Sequence, residues 1–304
     1  MRAAHGTTVH NQKGRIIDPA SPSNANELLR AQGLRPRKRW GQNFLCDRNV
    51  LDRIVRAAAL TPDSSVLEIG AGLGALTRAL AASASRVTSV EIDHLMEPIL
   101  ADTLAGYDNV RLVFEDFLKL DIEQLLDDAF GDKPGVVVAN IPYYITTPIL
   151  ERLLMHKTRV SRIVLLVQVE FADRLAAKPG TKDYGSMTVF AQYHTHVEIE
   201  FKVSRHVFLP QPEVGSAVVS FEPISPGSVI VSDEDRFFRI VRVSFQERRK
   251  TIANALMRGL DVNRATAEGM LAAAGIDAGR RGETLSLEEF AHLANRSANT
   301  PPGE

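Results

Sequence analysis

Two patterns predict an α/β fold on a mainly parallel sheet, followed by a small all-helical C-terminal region. Between about residues 65 and 175, short apolar runs that suit strands buried on both faces alternate with amphipathic helical segments. Beyond Pro226 the periodicity is helical only. A length of 304 residues with 44% hydrophobic content leaves room for one large domain or two modest ones. The expected division is a flexible N-terminal extension over 1–34, a catalytic α/β domain over 35–226 and a helical domain over 227–304.

Each element has a local reason. Residues 1–34 are rich in Asn, Ser, Pro and Gly and lack periodicity. Asp47 can cap a helix reaching about Leu60, with Val50, Leu51, Ile54 and Val55 on one face. Strands follow at 65–69, 87–91, 110–114, 136–140 and 163–169. Helices are expected at 73–84, 94–104, 122–130, 148–155 and after 169; Pro98 weakens the second of these. Residues 197–203 and 216–221 alternate as antiparallel strands would, closing the same sheet. The C-terminal helices read as 233–249, 251–260, 265–274 and 287–295, the last opened by a Ser286/Glu289 capping box.

Composition bounds the function. The 36 basic and 37 acidic residues nearly cancel, so a nucleic-acid partner must be held by local basic patches. Cys46 is the single cysteine, which rules out an internal disulfide and gives no clustered soft ligands for zinc; no metal is expected. No apolar run reaches membrane-spanning length and the first residues lack a secretory core, so a cytoplasmic protein without membrane contact is expected.

The chemistry-bearing residues gather at strand ends. The 65–69 strand runs into Gly70-Ala71-Gly72-Leu73-Gly74-Ala75 and then a helix. Glycines there permit a tight turn and close approach of a ligand to the backbone. The loop alone does not separate NAD from S-adenosylmethionine. Glu91 lies 21 positions after Gly70, near the offset of a ribose-binding acid. Asp116 follows the next strand and can accept from a cofactor adenine amino group. Asp93 reads as the cap of the following helix.

The most specific local signal is Asn140-Ile141-Pro142-Tyr143 at the end of the 136–140 strand. An exocyclic adenine nitrogen is a poor nucleophile because its lone pair is delocalised into the ring. The Asn140 amide oxygen and the Ile141 carbonyl can both accept from that amino group and turn its lone pair towards a methyl donor. Tyr143 can stack on the base. Such catalysis is mostly positioning and electrostatics.

With these residues in place the chain resembles the ribosomal RNA adenine dimethylase family, in its small-subunit branch. The resemblance runs from about Arg37 to Leu293. It is carried by Gly41-Gln42-Asn43-Phe44-Leu45; by Gly70, Gly72 and Gly74, then Glu91 and Asp116; by Asn140 to Pro148; by Phe208-Leu209-Pro210-Gln211-Pro212; by Phe245 to Lys250; and by Glu283-Thr284-Leu285-Ser286. It implies a Rossmann-like S-adenosylmethionine-dependent methyltransferase sheet with a small all-helical C-terminal domain. The implied reaction dimethylates N6 of two adjacent adenosines in a hairpin near the 3′ end of small-subunit ribosomal RNA, in the assembling particle. Asn43 and Leu45 would contact the methionine part of the cofactor; Gly70, Gly72, Glu91, Asp116 and Asn140 would complete its site. Phe208 would pack on the flipped base, or is an ordinary core aromatic. Ile141 stands where the branch mostly has Leu; isoleucine also occurs in related large-subunit resistance methylases.

RNA contacts are expected on the 233–249 helix. Arg239, Arg242, Gln246 and Arg249 share one face, opposite Phe237, Val241, Ser244 and Phe245. With Arg248 and Lys250 this is a basic surface suited to phosphates. The Arg35–Arg39 run, Lys178, Lys182, Arg280 and Arg281 could extend it. The alternatives are a large-subunit rRNA adenine methylase conferring antibiotic resistance, a non-catalytic ribosome-assembly or transcription factor, and an NAD oxidoreductase, for which the Asn140 motif has no role. A monomer is expected.

Overall fold

The computed structural model describes residues 17–37, 41–224, 229–247 and 249–297. Lys38, Arg39 and Trp40 of the basic run lie outside the described residues, as does Arg248.

The chain opens with helix α1 (Pro22–Ala31), capped by Ser21, with Pro22 in its first turn. For the described part, 17–34, this corrects the expected flexible extension; 1–16 lie outside the described residues. Ala25, Leu28 and Leu29 recur at helical spacing and bury against Leu73, Met96, Ile99 and Leu100. Three apolar positions in a polar stretch suffice once a ready-made apolar surface receives them. A two-residue strand β1 (Phe44–Leu45) leads to α2 (Arg48–Ala57), where Asp47 accepts from the Val50 N–H at 3.0 Å. The core then alternates β2 (Ser65–Ile69), α3 (Ala75–Ala81), β3 (Arg86–Glu91), α4 (Glu97–Thr103), β4 (Val110–Phe114), α5 (Ile122–Phe130), β5 (Gly135–Asn140), α6 (Thr146–Met155), β6 (Val160–Gln168) and α7 (Val169–Leu175). Pro98 occupies the first turn of α4, where no intrahelical N–H is required. Helix α8 (Ser186–His194), β7 (Thr195–Val203), β8 (Phe208–Leu209) and β9 (Ser216–Pro223) follow.

Seven strands form one sheet in the order β4-β3-β2-β5-β6-β9-β7. From β4 through β6 all pairings are parallel; β9 runs antiparallel to β6. Strands β1 and β8 make a separate antiparallel pair, Phe44 opposite Leu209 and Leu45 opposite Phe208. Val137 and Val138 of β5 and Val66 and Leu67 of β2 are wholly buried. Each such side chain adds about 1.5–3 kcal/mol of transfer free energy, which is why the central strands read as continuous apolar runs. After β4 the chain returns to lay β5 on the other side of β2. The order reverses there, and open α/β sheets bind ligands in the crevice at such a switch point. This is the Rossmann-like sheet the sequence predicts.

The chain divides into two compact units, one of 1–172 with 198–223 and the other of 173–197 with 224–304. The expected boundary at 226 thus misses a segment: 173–197 groups with the helical unit. Tyr184 and Val189 belong to that unit's core, with Phe237, Ile240, Leu256, Leu271 and Phe290. Its helices are α9 (Glu234–Gln246), α10 (Ile252–Leu260), α11 (Arg264–Ala273) and α12 (Leu287–Ser297). The Ser286/Glu289 capping box is formed: Glu289 accepts from the Ser286 N–H at 2.8 Å, and Ser286 Oγ from the Glu289 N–H at 3.2 Å.

Candidate active site

The turn after β2 is built from the backbone. Gly70, Gly72 and Gly74 all adopt left-handed φ, at 89°, 55° and 84°. At Gly70 a Cβ would stand 3.1 Å from the Asn140 carbonyl oxygen, and at Gly72 3.1 Å from the Phe44 ring. Side chains are therefore disfavoured twice, by backbone strain and by space. Glu91, at the end of β3, fixes the turn. Its carboxylate accepts from the Gly72 N–H at 2.8 Å and the Asp93 N–H at 2.9 Å. Burial raises its pKa, opposed by those two bonds.

Two positions before Gly70, on β2, lies a second buried acid. Glu68 is wholly buried. One oxygen accepts from the Thr77 and Ser89 hydroxyls, both at 2.6 Å, and the other has no hydrogen-bond partner. Burial pushes its pKa up to about 7, against the pull of the two hydroxyls.

Asn140 ends β5, and its amide nitrogen donates to the Asn43 carbonyl at 3.5 Å. The Asn43 amide in turn donates to the Gly41 carbonyl at 3.0 Å. Pro142 takes the Ile145 N–H on its carbonyl at 3.2 Å, closing a short turn. The Tyr143 hydroxyl is 2.8 Å from Ser216 Oγ on β9, and burial raises its pKa, so the phenol is protonated at neutral pH. Asp116 is half-buried; it accepts from the Leu118 N–H at 3.0 Å and lies 3.8 Å from the Lys119 ammonium.

These residues share one cavity of about 1110 Å³, its open mouth included. Asn43, Leu45, Gly70, Gly72, Glu91, Asp116, Asn140, Ile141, Pro142, Tyr143 and Phe208 all line it. Phe208 also packs into the core with Leu45, Leu51 and Val218 and is only 3% exposed. Three lining residues are acidic, Glu91, Glu115 and Asp116; among the described residues none is Lys, Arg or His. A pyrophosphate would find no cation there, and the Gly72 N–H already donates to Glu91. A cationic sulfonium with a ribose and an adenine suits this wall. The cradle therefore fits S-adenosylmethionine and separates it from the dinucleotide that the glycine pattern alone left open.

Sequence reasoning missed several supports. Asp93 caps the turn before α4 as expected, accepting from Leu95 N–H at 3.2 Å. It is also buried and accepts from Gln42 Nε2 at 2.9 Å and pairs with Arg37 at 3.4 Å, tying the Gly41–Leu45 segment to the end of β3. The Gly41-Gln42 pair was the available signal. Ser216 gave none.

On the helical unit, Arg239, Arg242 and Gln246 are exposed along α9, and Arg249 and Lys250 beyond it, while Phe237, Val241 and Ser244 are buried. Arg280 is a correction. Its guanidinium is committed to Glu289 and the Thr284 carbonyl, so its fork of donors is already engaged. Arg37 is likewise committed, to Asp93. Among the described residues no cluster of His, Cys, Asp or Glu could hold a metal, and no helix is long and apolar enough to cross a membrane.

Comparisons with known proteins agree with this geometry. The sequence model described as "Ribosomal RNA adenine dimethylase" matches residues 33–299. The chain is 48% identical over 282 residues to a ribosomal RNA small subunit methyltransferase A of Geobacillus thermodenitrificans, covering 91% of this chain and 96% of that one. It is 49% identical over 280 residues to the protein of the same name in Moorella thermoacetica, covering 90% and 97%. Among solved structures, the 23S rRNA methyltransferase ErmE is 32% identical with a TM-score of 0.65, over 84% of this chain and 100% of that one. A dimethyladenosine transferase from Plasmodium falciparum shares the fold at 24% identity and a TM-score of 0.66, over 81% and 94%. A parallel sheet reversing order at an acidic, glycine-floored cleft, with Asn140-Ile141-Pro142-Tyr143 at its edge, is what these relatives lead one to expect, and the chain belongs to the ribosomal RNA adenine dimethylase family.

Proposed function

We propose that this protein dimethylates N6 of two adjacent adenosines in a hairpin near the 3′ end of small-subunit ribosomal RNA, using S-adenosylmethionine, during assembly of the small subunit. It works as a monomer in the cytoplasm. The observation that carries the reading is the meeting of Asn140 to Tyr143 with Gly70, Glu91 and Asp116 in one cavity. The small-subunit assignment is supported by relatives at 48–49% identity, against 32% for the large-subunit enzyme.

When bound, S-adenosylmethionine supplies a methyl group on a sulfonium, which departs as a neutral sulfide. Glu91 accepts from the ribose hydroxyls with the lone pairs its loop bonds leave over. Asp116 accepts from the cofactor's adenine amino group. Asn43 and Leu45 flank the methionine part, and Gly70 and Gly72 let it approach the turn. Because the Asn140 amide nitrogen is given to Asn43, its oxygen faces the substrate as an acceptor. That oxygen and the Ile141 carbonyl hold the target amino group and aim its lone pair. Tyr143, pinned through its hydroxyl, offers its ring face to the base. Phe208 supports the same pocket from the core side. The methylated amine loses its proton to water, so no strong base is needed. Arg242, Arg248, Arg249 and Lys250 contact phosphates and set register; the folded ribosomal region is recognised by shape, with the target base flipped into the pocket.

The test is transfer of labelled methyl groups to undermethylated small ribosomal subunits, with large subunits and free RNA in parallel. Dimethyladenosine confined to the small subunit is expected. Label in the large subunit would move the protein to the resistance methylases. Cofactor binding without any transfer would make it a non-catalytic assembly factor.

A further inference from the structure

Tyr144 follows the Asn140–Tyr143 turn and has no role in the chemistry above. It is the one aromatic among the large hydrophobic side chains left exposed in the described residues, at 63%. A lone exposed apolar side chain is ordinary, so the argument rests on where this one stands. The short helical turn Tyr143–Ile145 carries it to the cavity rim. There the main chain of Gly41 backs the ring. Gly41 has a φ of 58°, and a Cβ on it would lie 3.4 Å from Tyr144 Cε1 and 2.9 Å from Pro142 Cβ. The ring is supported close to backbone on one side and open to solvent elsewhere. No Lys or Arg among the described residues lines the cavity, so a strand at its mouth finds ring faces there instead of charge.

We infer that Tyr144 is a stacking platform for the base adjacent to the one being methylated. The inference rests on the proposed function. Extruding a base costs stacking energy and leaves its neighbour with an uncovered face. An aromatic ring at the rim covers that face, and it does so for any base, since every base has a π-face. Tyr143 and Tyr144, consecutive in the chain, then divide the work: the pinned ring takes the target and the exposed ring takes its neighbour.

Methyl transfer to undermethylated small ribosomal subunits by wild type, Tyr144→Phe, Tyr144→Leu and Tyr144→Ala tests this, with calorimetric S-adenosylmethionine affinity measured for each. Loss of the ring should raise KM for the subunit by roughly 5- to 150-fold, the span of base–aromatic stacking. Tyr144→Ala and Tyr144→Leu should both show it, Tyr144→Phe should keep the wild-type KM, and cofactor affinity should be the same throughout. Tyr144→Leu as effective as Tyr144→Phe would overturn the inference, because bulk alone would then suffice. So would Tyr144→Ala with a wild-type KM. A wild type that labels no ribosomal RNA would overturn the proposed function and this inference together, and is distinct from an active enzyme indifferent to Tyr144.

Discussion

The two turns that floor the cavity are held in opposite ways. The Gly70–Gly74 turn is fixed by backbone: left-handed glycines, the Gly72 N–H given to Glu91, and β2 anchored beneath by buried Glu68. The Asn140–Tyr143 turn is fixed by side chains reaching distant elements, Asn140 to Asn43 and Tyr143 to Ser216. A ligand held by shape and backbone needs a rigid floor. A base that has to be admitted and released is better served by a few aimed groups. Mutations should therefore separate the two: the glycine turn through binding and stability, the other through turnover.

The largest effect is expected at Asn140. If Asn140 is the proposed acceptor for the target amino group, Asn140→Ala should cut kcat by about 100- to 1,000-fold, as does loss of one preorganised transition-state partner. Thermal unfolding should stay near wild type, and any loss of cofactor affinity should be far smaller than the loss in kcat; near-normal turnover would remove Asn140 from the mechanism.

Glu68 comes next. Its pKa is raised in the folded state, to about 7, so the stability it contributes is fully present below its unfolded value of 4.5 and lost as pH rises through about 7. The size is roughly 3 kcal/mol. Glu68→Gln has no proton to lose. Denaturant unfolding at both ends of that window should show wild type losing roughly that much more stability than Glu68→Gln as pH rises. Parallel pH profiles would mean the acid is ionised throughout.

Gly70→Ala sharpens the contrast, because its Cβ would meet the Asn140 carbonyl at 3.1 Å in a left-handed backbone. A loss of about 1–2 kcal/mol in stability is expected from the strain, with weaker S-adenosylmethionine binding by calorimetry. Unchanged binding would show that the turn does not touch the cofactor.

The smallest effect belongs to Ser216→Ala. One neutral hydrogen bond contributes about 0.5–1.5 kcal/mol, so kcat should fall by at most about tenfold, and Tyr143→Phe should do the same without adding to it. Additive losses in the double variant would mean that the two hydroxyls act separately.

Much of this was legible in the chain. The parallel core follows from doubly buried runs such as 136–139, and the glycine turn, Glu91, Asp116 and Asn140 to Tyr143 lie at strand ends where sheets bind ligands. Local signals failed where an element exists only through a distant partner. Helix α1 has three buried positions in a polar stretch and forms against Leu73 and Ile99. Strand β1 is two residues long and is defined by β8, more than 160 positions later. Helix α8 has weak amphipathicity, and the 173–197 segment joins the helical unit through Tyr184 and Val189.

The sequence by itself determined the types of the central sheet's elements, the family and the list of candidate site residues, because periodicity, turn chemistry and a four-residue motif are local properties. Tertiary structure decided which bonds those residues have left to give. Only packing shows that Gly72 spends its N–H on Glu91, that Asn140 gives its amide nitrogen to Asn43, that Arg280 is committed to Glu289, and that an acid two positions before Gly70 carries an unpartnered oxygen. Each depends on a partner far away in sequence, and hydrogen-bonding capacity is settled only when the chain has closed around it.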